Sequence, residues 1–413
     1  MDKKIKEVLA RQVLLIKPGK KEQETIGKET ERFLAELGKG IKKRKIKAEI
    51  FIGGSLAKDT IVKKEKYDVD IFVRFDKKYQ NLSSTLNKVL RKAKKVHGSR
   101  DYFQIRKGKM IFEIIPVLKI NKPEEARNVT DLSYFHVRYI TNKIKKNKKL
   151  ADEIRLSKTF CYAQNCYGAE SYIRGFSGYA LELLVCYYGS FSKFIKAIKG
   201  KKRRIILDPA GFYKNKQEIL LELNESKLQS PIVFVDPTFK ERNALAALST
   251  ETLEKFQQSC ASFLKKPSNK FFEKQNLEKE LKNKYKNLTI IKAGTNRQKG
   301  DIAGSKLRKF HNFLVRKMEK YFDIKINEFE YLEERNMARI YLVLKNKKVV
   351  IEGPQITAVE HLSRFKKKHK NCFIKGGRGY ARENPPVLKR FIENLKKDKA
   401  VKEMGIKKVE LAR

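Results

Sequence analysis

The sequence predicts a multidomain α+β protein: an N-terminal α/β domain, a helical central domain and a basic tail of mixed α/β character. Up to about residue 120, stretches with strand-like alternation are separated by glycine turns and by stretches with helical spacing. From residue 131 to about residue 264 the apolar spacing is mostly helical, and beyond residue 265 both patterns occur. We expect domains at residues 1–138, 139–270 and 271–413.

The first domain is predicted from alternating strand and helix patterns. Residues 21–37 form an amphipathic helix in this prediction, because Ile26, Phe33 and Leu37 recur at helical spacing, and Gly38 and Gly40 are expected to end it. Strands follow at residues 47–52, 69–75 and 110–118, with a helix at residues 81–96.

The remaining helices and strands are predicted from the same spacing patterns. Helices are predicted at residues 135–148, 152–164 and 178–198, and later at 358–368 and 386–397. Residues 338–344 and 348–352 alternate like strands around Asn346-Lys347, which predicts a β-hairpin.

The charge of the chain indicates a polyanionic partner. The 413 residues include 96 Lys and Arg against 47 Asp and Glu, a net charge of +49, and residues 266–413 hold 39 basic against 17 acidic residues. Because 41% of the residues are hydrophobic, the chain can still build cores, and nucleic acid is the expected partner. No apolar run of about 18 residues and no signal-peptide pattern is found, so we expect a cytoplasmic protein without membrane contact.

Two carboxylates are predicted to share one face of a strand. Asp68 and Asp70 are two residues apart in a β-rich stretch, so their side chains point to the same side. Adjacent carboxylates repel each other unless a cation lies between them, and Mg²⁺ prefers such oxygen ligands. The sequence therefore predicts a site for divalent cations, although such a pair also occurs on ordinary protein surfaces.

Two further features lie close to this pair. Gly53-Gly54-Ser55 follows the first strand, and glycines let backbone approach a phosphate group. Glu113 interrupts an apolar strand, where a buried charge needs a cation. The alternatives are an ordinary turn that ends a strand and a glutamate that faces solvent at a sheet edge.

Four segments together resemble the archaeal (class I) CCA-adding tRNA nucleotidyltransferases of the DNA polymerase β-like superfamily. Gly54-Ser55-Leu56-Ala57-Lys58-Asp59-Thr60 is similar to the GSxA(R/K)xT segment of that family. The other three segments, similar to its DRTxxH, RGFSGY…E and DPxxxxRN patterns, are Asp131-Leu132-Ser133-Tyr134-Phe135-His136, Arg174-Gly175-Phe176-Ser177-Gly178-Tyr179 with Glu182, and Asp236-Pro237 with Arg242-Asn243. The resemblance covers roughly residues 10–275.

The resemblance implies a catalytic nucleotidyltransferase domain, a helical nucleotide-binding domain and a basic RNA-binding tail. It implies template-independent addition of CCA to the tRNA 3′ end from CTP and ATP, by two-metal nucleotidyl transfer with Mg²⁺. The implied catalytic and metal-binding carboxylates are Asp68, Asp70 and Glu113. The implied nucleotide-binding residues are Ser55, Lys58, His136, Lys158, Tyr167 and Arg242. The chain departs from the family pattern at Glu113, where Asp is usual, and at Lys58, where Arg is usual; Lys is a less directional phosphate ligand.

Two other functions stay open at this point. Another RNA-tailing enzyme, a poly(A) polymerase or one that adds only part of CCA, would share the core motifs. A non-catalytic RNA-binding protein with a relic site would share the basic charge. The sequence also leaves the oligomeric state open, a homodimer included.

Overall fold

The structure, a computed structural model, describes residues 2–98, 100–296 and 298–412. The chain divides into two compact units. The first ends at Lys274, and the second comprises Glu170–Tyr172 together with the residues from Gln275 onward. The mixed α+β character predicted from the sequence is confirmed in both units.

The N-terminal part of the first unit is built on a mixed sheet. Its strands run in the order β1-β2-β5-β4-β3, with β2 and β5 parallel and the other pairs antiparallel. Phe33 and Phe112 stack face to face in the core, with ring centroids 4.1 Å apart. The strands are β1 (Ala48–Ile52), β2 (Tyr67–Phe75), β3 (Lys94–Val96), β4 (Tyr102–Lys107) and β5 (Met110–Leu118), and the helices are α1 (Asp2–Ile16), α2 (Lys20–Lys43), α3 (Gly54–Ala57) and α4 (Leu82–Val89).

Two predicted boundaries in this part are wrong. Helix α2 does not end at Gly38 but continues to Lys43, because Ile41 extends its buried stripe. A Cβ on Gly40 would lie 3.0 Å from Val89 Cγ1, so this glycine allows close helix packing instead of ending the helix. The helix predicted over residues 81–96 ends at Val89, because residues 94–96 pair as a strand with β4.

The rest of the first unit is mainly helical and encloses a phenylalanine-rich core that includes Phe160, Phe194 and Phe256. The predicted helix at residues 178–198 is in fact two helices. Gly189 adopts a φ of +83°, and the Ser190 side chain accepts a hydrogen bond from Lys193 N to begin the next helix. The elements are α5 (Ser133–Lys146), α6 (Lys149–Ala163), α7 (Gly178–Tyr188), α8 (Phe191–Ile198), α9 (Lys216–Glu222), α10 (Glu225–Leu228), α11 (Thr250–Lys265), β6 (Ile205–Leu207), β7 (Ile232–Asp236) and β8 (Phe239–Asn243).

The second unit contains two antiparallel sheets. Their strand orders are β10-β11-β9-β15 and β12-β14-β13. The strands are β9 (Leu288–Thr295), β10 (Phe322–Leu332), β11 (Met337–Asn346), β12 (Val349–Gln355), β13 (Cys372–Lys375), β14 (Arg378–Glu383) and β15 (Ile406–Leu411), and the helices are α12 (Leu277–Lys284), α13 (Gly300–Met318), α14 (Val359–Lys368), α15 (Leu388–Lys397) and α16 (Lys399–Glu403).

The predicted hairpin between β11 and β12 is wrong. Strand β11 buries Ala338, Ile340 and Leu342 and is central in its sheet, where β10 and β9 occupy both of its edges. No edge is left for β12, which pairs with β14 in the other sheet. Within the described residues, no helix combines the length and the apolar character that crossing a membrane requires.

Candidate active site

The strands that carry the predicted carboxylates lie side by side. Strands β2 and β5 are parallel, and Asp70 stands directly opposite Glu113 in their register. Asp68 lies two residues before Asp70 and therefore on the same face. Between them, Val69 is fully buried on the opposite face. We refer to Asp68, Asp70 and Glu113 as the acidic strand face.

The acidic strand face holds negative charge that the chain does not fully neutralise. Burial raises the pKa of Asp70, and the charge of Asp68 raises it further against the opposing effect of Lys58. Burial and then the charge of Asp70 raise the pKa of Glu113 to about 7, although Gln104 Nε2 donates a hydrogen bond of 3.2 Å to Glu113 Oε1. An uncompensated charge of this kind is what a bound cation would stabilise.

The glycine turn before α3 is fitted closely against Asp70. Gly53 N donates to Asp70 O at 2.8 Å. Gly54 has a φ of +57°, and a Cβ there would lie 1.7 Å from Asp70 Oδ2. Position 54 therefore requires glycine both for its backbone conformation and for the space that the Asp70 carboxylate occupies. Ser55 follows within α3, and its carbonyl accepts a hydrogen bond from Thr60 N.

Lys58 and Lys158, both predicted to bind the nucleotide, contact the same carboxylate, Glu182, for which the sequence predicted no role. Lys58 Nζ lies 2.6 Å from Glu182 Oε2, and Lys158 Nζ lies 2.8 Å from Glu182 Oε1. Lys158 Nζ also donates to Thr60 Oγ1 at 3.1 Å. Glu182 is 1% exposed, so this network is shielded from solvent.

The charges of Lys58, Lys158 and Glu182 offset one another's cost of burial. Burial lowers the pKa of Lys158, and Glu182 opposes that effect. Burial alone would raise the pKa of Glu182, but Lys158 and Lys58 hold it below its usual value. The role of Glu182 could have been predicted from the sequence. It is the single carboxylate in the otherwise apolar helix α7, and a carboxylate in such a position is buried only when a cation pairs with it.

His136 and Arg242 meet on a second buried carboxylate, Asp236. Arg242 Nη1 lies 2.5 Å and His136 Nε2 lies 3.2 Å from Asp236 Oδ2. Tyr179 and Thr238 donate their hydroxyls to Oδ1 at 2.9 and 2.8 Å.

The pKa values around Asp236 follow from burial and from these contacts. Burial alone would raise the pKa of Asp236, but His136, Arg242 and the Thr238 amide hold it well below its usual range. Burial lowers the pKa of His136, whose ring stacks on Tyr179 at 4.0 Å between centroids.

Tyr167, the remaining predicted residue, lies beside the lysine network. A Cβ on Gly178 would come within 3.0 Å of the Tyr167 hydroxyl and 3.9 Å of Lys158 Cε. Apart from Ser55, which lies in α3, the predicted residues are thus held in a lysine network with Tyr167 beside it, an Asp236 cluster and the acidic strand face. Lys58 acts electrostatically on both Asp70 and His136.

The acidic strand face fits a divalent metal ion by its chemistry. Its donors are carboxylate oxygens on neighbouring strands, and burial together with the charge of Asp70 raises the pKa of Glu113, an effect that a bound cation would oppose. In the part of the chain that the structure describes, no three His, Cys, Asp or Glu side chains are already gathered closely enough to hold a metal ion.

Comparison with known proteins identifies the family. Residues 152–273 match the family described as tRNA nucleotidyltransferase, second domain. A CCA-adding enzyme of Nanoarchaeum equitans is 33% identical over 335 residues, which cover 79% of this chain and 81% of the relative. The chain belongs to the archaeal CCA-adding enzymes. The CCA-adding enzyme of Methanocaldococcus jannaschii is 27% identical, over 90% of this chain and 86% of its own. The family resemblance inferred from the sequence motifs is confirmed.

Solved structures support the fold of this CCA-adding enzyme. A cytoplasmic RNA terminal U-transferase matches at a TM-score of 0.52 and 16% identity, over 67% of this chain and 100% of its own. The poly(U) polymerase Cid1 with Mg and 3′-dATP bound matches with the same values. At this identity the likeness shows the fold alone. Nucleotidyltransferases of this kind use divalent metal ions.

Proposed function

We propose that the acidic strand face is the centre at which this CCA-adding enzyme transfers nucleotides from CTP and ATP to the 3′ end of tRNA without a template. The observation that carries this proposal is the register of β2 and β5, which sets Asp70 opposite Glu113 with raised pKa values. Phosphoryl transfer needs positioning and charge neutralisation more than covalent help from the protein. Carboxylates on neighbouring strands beside a glycine turn, with only the exposed Lys64 among the described residues paired to Asp68, at 3.4 Å, suit that chemistry.

Asp68, Asp70 and Glu113 would hold Mg²⁺ in this proposal. Bound Mg²⁺ would lower the pKa of the RNA 3′-hydroxyl and neutralise charge on the triphosphate. The carboxylates keep the donor oxygens on one side of two rigid strands, which limits how far they can move.

Lys58 and Lys158 would donate to the triphosphate together with the Ser55 hydroxyl. Each lysine ammonium group has three N–H donors, and each lysine donates one hydrogen bond to Glu182. Thr60 Oγ1 accepts a second hydrogen bond from Lys158. The remaining donors are available to phosphate oxygens, and Glu182 fixes where the two ammonium groups stand.

The Asp236 cluster would hold the nucleotide base. Arg242 is oriented by its contact with Asp236, and its remaining guanidinium donors can reach a base edge. Without a template, the choice of C and A must come from such fixed donors and from the shape of the pocket. His136 and Tyr167 would complete this pocket.

The basic residues of the second unit would hold the body of the tRNA. We assign residues 271–413 to this role and place the catalytic and helical nucleotide-binding domains at 1–138 and 139–270. The exposed lysines of α14 are candidates for phosphate contacts. We propose a cytoplasmic location, because the net charge of +49 suits a tRNA substrate.

Extension of tRNA transcripts that end before CCA tests the proposal. We expect CTP alone to add two residues, ATP alone to add none, and the mixture to complete CCA and then stop. A transcript that already ends in CCA is the control and should not be extended. Long tails from ATP alone would indicate a poly(A) polymerase, and no extension at all would indicate a relic site.

A further inference from the structure

A cavity of about 390 Å³ lies between β1, α3 and α5, apart from the residues proposed above to carry the reaction. Its lining includes Ala57 of α3, the short helix that also carries Ser55, so the cavity adjoins the glycine turn. None of the proposed catalytic or nucleotide-binding residues lines it. The volume is within the range of small-ligand pockets, about 300–1,000 Å³.

Two cations of the cavity have no carboxylate partner among the described residues. Arg138 and Lys145 are seven residues apart on α5, hence on one helix face, and both line the cavity. Across the described residues, no carboxylate comes within ion-pair distance of either side chain. The cavity therefore favours an anionic ligand.

Aromatic rings form a second wall. Phe51 and Tyr134 meet edge to face, with centroids 5.3 Å apart. The guanidinium groups of Arg74 and Arg138 lie 3.9 and 5.5 Å from the Tyr134 ring centroid. Phe51 also stacks on Phe72 with centroids 4.9 Å apart, so the rings of Phe51 and Tyr134 are both held in place. The parts of these half-buried rings that stay accessible offer a nucleic-acid base an apolar contact without strong sequence preference.

The hydroxyl of Thr141 is a third feature of the lining. Helical threonines usually donate to a carbonyl one turn back, as Thr159 does to Arg155 O at 2.9 Å and Thr30 to Ile26 O at 2.7 Å. Thr141 Oγ1 is buried, and among the described residues it has no hydrogen-bond partner. An orphaned buried hydroxyl is costly unless a ligand or water pairs with it.

We propose that this cavity binds one nucleotide unit of the RNA acceptor strand, upstream of the 3′-terminal nucleotide that reacts. The phosphate lies against Arg138 and Lys145, the base against Phe51 and Tyr134, and the Thr141 hydroxyl pairs with a polar atom of the nucleotide. The choice of RNA over a free nucleotide rests on the proposed function, because the chemistry of the cavity suits both.

Binding without turnover tests the proposal. In the full-length protein, Arg138→Ala with Lys145→Ala should lower the affinity for tRNA lacking CCA roughly tenfold at 0.15 M salt and reduce the salt slope by about 0.7 per lost contact. Affinity for CTP alone, measured without RNA, should not change. The matched control is Lys143→Ala with Lys146→Ala, which removes the same charge from α5 outside the cavity lining and should weaken RNA binding much less.

Each other outcome overturns the assignment. Equal losses in both double variants would show a general charge effect, and a loss in the CTP arm alone would show a free-nucleotide site. Because neither arm requires catalysis, these results are independent of whether the wild-type protein extends RNA, which tests the proposed function.

Thr141→Val gives a second measurement that does not depend on net charge. It removes an unpaired buried hydroxyl, so the melting temperature of the free protein should rise, while RNA affinity should fall about two- to tenfold because the ligand loses a hydrogen bond. A higher melting temperature with unchanged RNA affinity would overturn the proposal.

Discussion

Four carboxylates of the first unit form two contrasting pairs. Glu182 and Asp236 each receive cationic and hydrogen-bonding partners from the chain itself, and the pKa of each is lowered. Asp70 and Glu113 lie on neighbouring strands with too few such partners, and the pKa of each is raised. The first pair is already matched by cations and hydrogen-bond donors of the chain, whereas an added cation would stabilise the charged form of the second pair.

Among these four carboxylates, the difference distinguishes the groups paired within the chain from those that an added cation could stabilise. A carboxylate paired within the chain has little to gain from an added cation, because its charge is already balanced. A carboxylate with a raised pKa lowers its free energy when a cation binds, so it is the better candidate for the reaction centre. Substitutions at Asp70 and Glu113 should therefore act mainly on activity, and those at Glu182 and Asp236 mainly on stability.

Asp70→Asn should give the largest effect on activity. The change keeps the shape of the side chain but removes a charged donor, so the rate of CMP addition should fall ~10³-fold, about 4 kcal/mol. Stability should stay equal or rise, because a desolvated charge is removed. Single-turnover incorporation and thermal unfolding measure the two quantities. Asp76→Asn, on an exposed residue just after β2, is the control and should change neither. Activity of Asp70→Asn within a few-fold of wild type would contradict the comparison.

Glu182→Gln should give the largest effect on stability. It leaves Lys58 and Lys158 buried without their shared carboxylate, which should cost about 3 kcal/mol of unfolding free energy. Urea unfolding measures the loss. The KM for CTP should rise as well, because the two ammonium groups lose their fixed positions.

The control for this variant is an exposed ion pair. Glu36 pairs with Lys107 at the surface, and Glu36→Gln should cost less than about 1 kcal/mol. If both substitutions cost the same, the buried network would contribute no more than a surface pair.

The sequence predicted some features of this region because they depend on local patterns. Alternation alone puts Asp68 and Asp70 on one strand face, and the predicted strand at residues 110–118 has the bounds of β5. The register that sets Asp70 opposite Glu113 joins strands far apart in the chain, so only tertiary packing fixes it.

Other features could not be predicted, because their partners lie far away in the sequence. The shared contact of Lys58 and Lys158 with Glu182 joins α6 and α7 to the turn after α3. The pairing of β12 with β14 depends on which strand edges are already occupied. The role of Gly40 was predicted wrongly for a related reason. It does not end α2 but allows close packing against Val89, a residue far away in the sequence.

Gly54→Ala should affect activity through the position of Asp70. The new Cβ would overlap the Asp70 carboxylate, and a displacement of about 1 Å at a reacting group can cost roughly 10²-fold in rate. Gly189→Ala is the matched control, because Gly189 also has a positive φ, +83°, but nothing lies within 4 Å of its added Cβ. Both variants should lose about 1 kcal/mol of stability from backbone strain, and Gly54→Ala should lose more because its Cβ overlaps the Asp70 carboxylate. Only Gly54→Ala should lose activity, as CMP incorporation measures. Equal activity losses would show that strain alone is responsible.

Asp236→Asn should give a smaller effect on stability, and one that depends on pH. Hydrogen bonds to the charged carboxylate are lost, so the variant should be about 2 kcal/mol less stable at pH 7. A carboxylate with a lowered pKa contributes stability above its unfolded value, about 3.9, and loses it as pH falls toward the folded value. The difference between wild type and variant should therefore shrink below about pH 4, as urea unfolding at pH 7 and pH 3 measures. The exposed control Asp76→Asn should show no difference at either pH. A difference that stays constant with pH would mean that the Asp236 contacts do not depend on its charge, and the contrast between the two carboxylate pairs would then fail at this site.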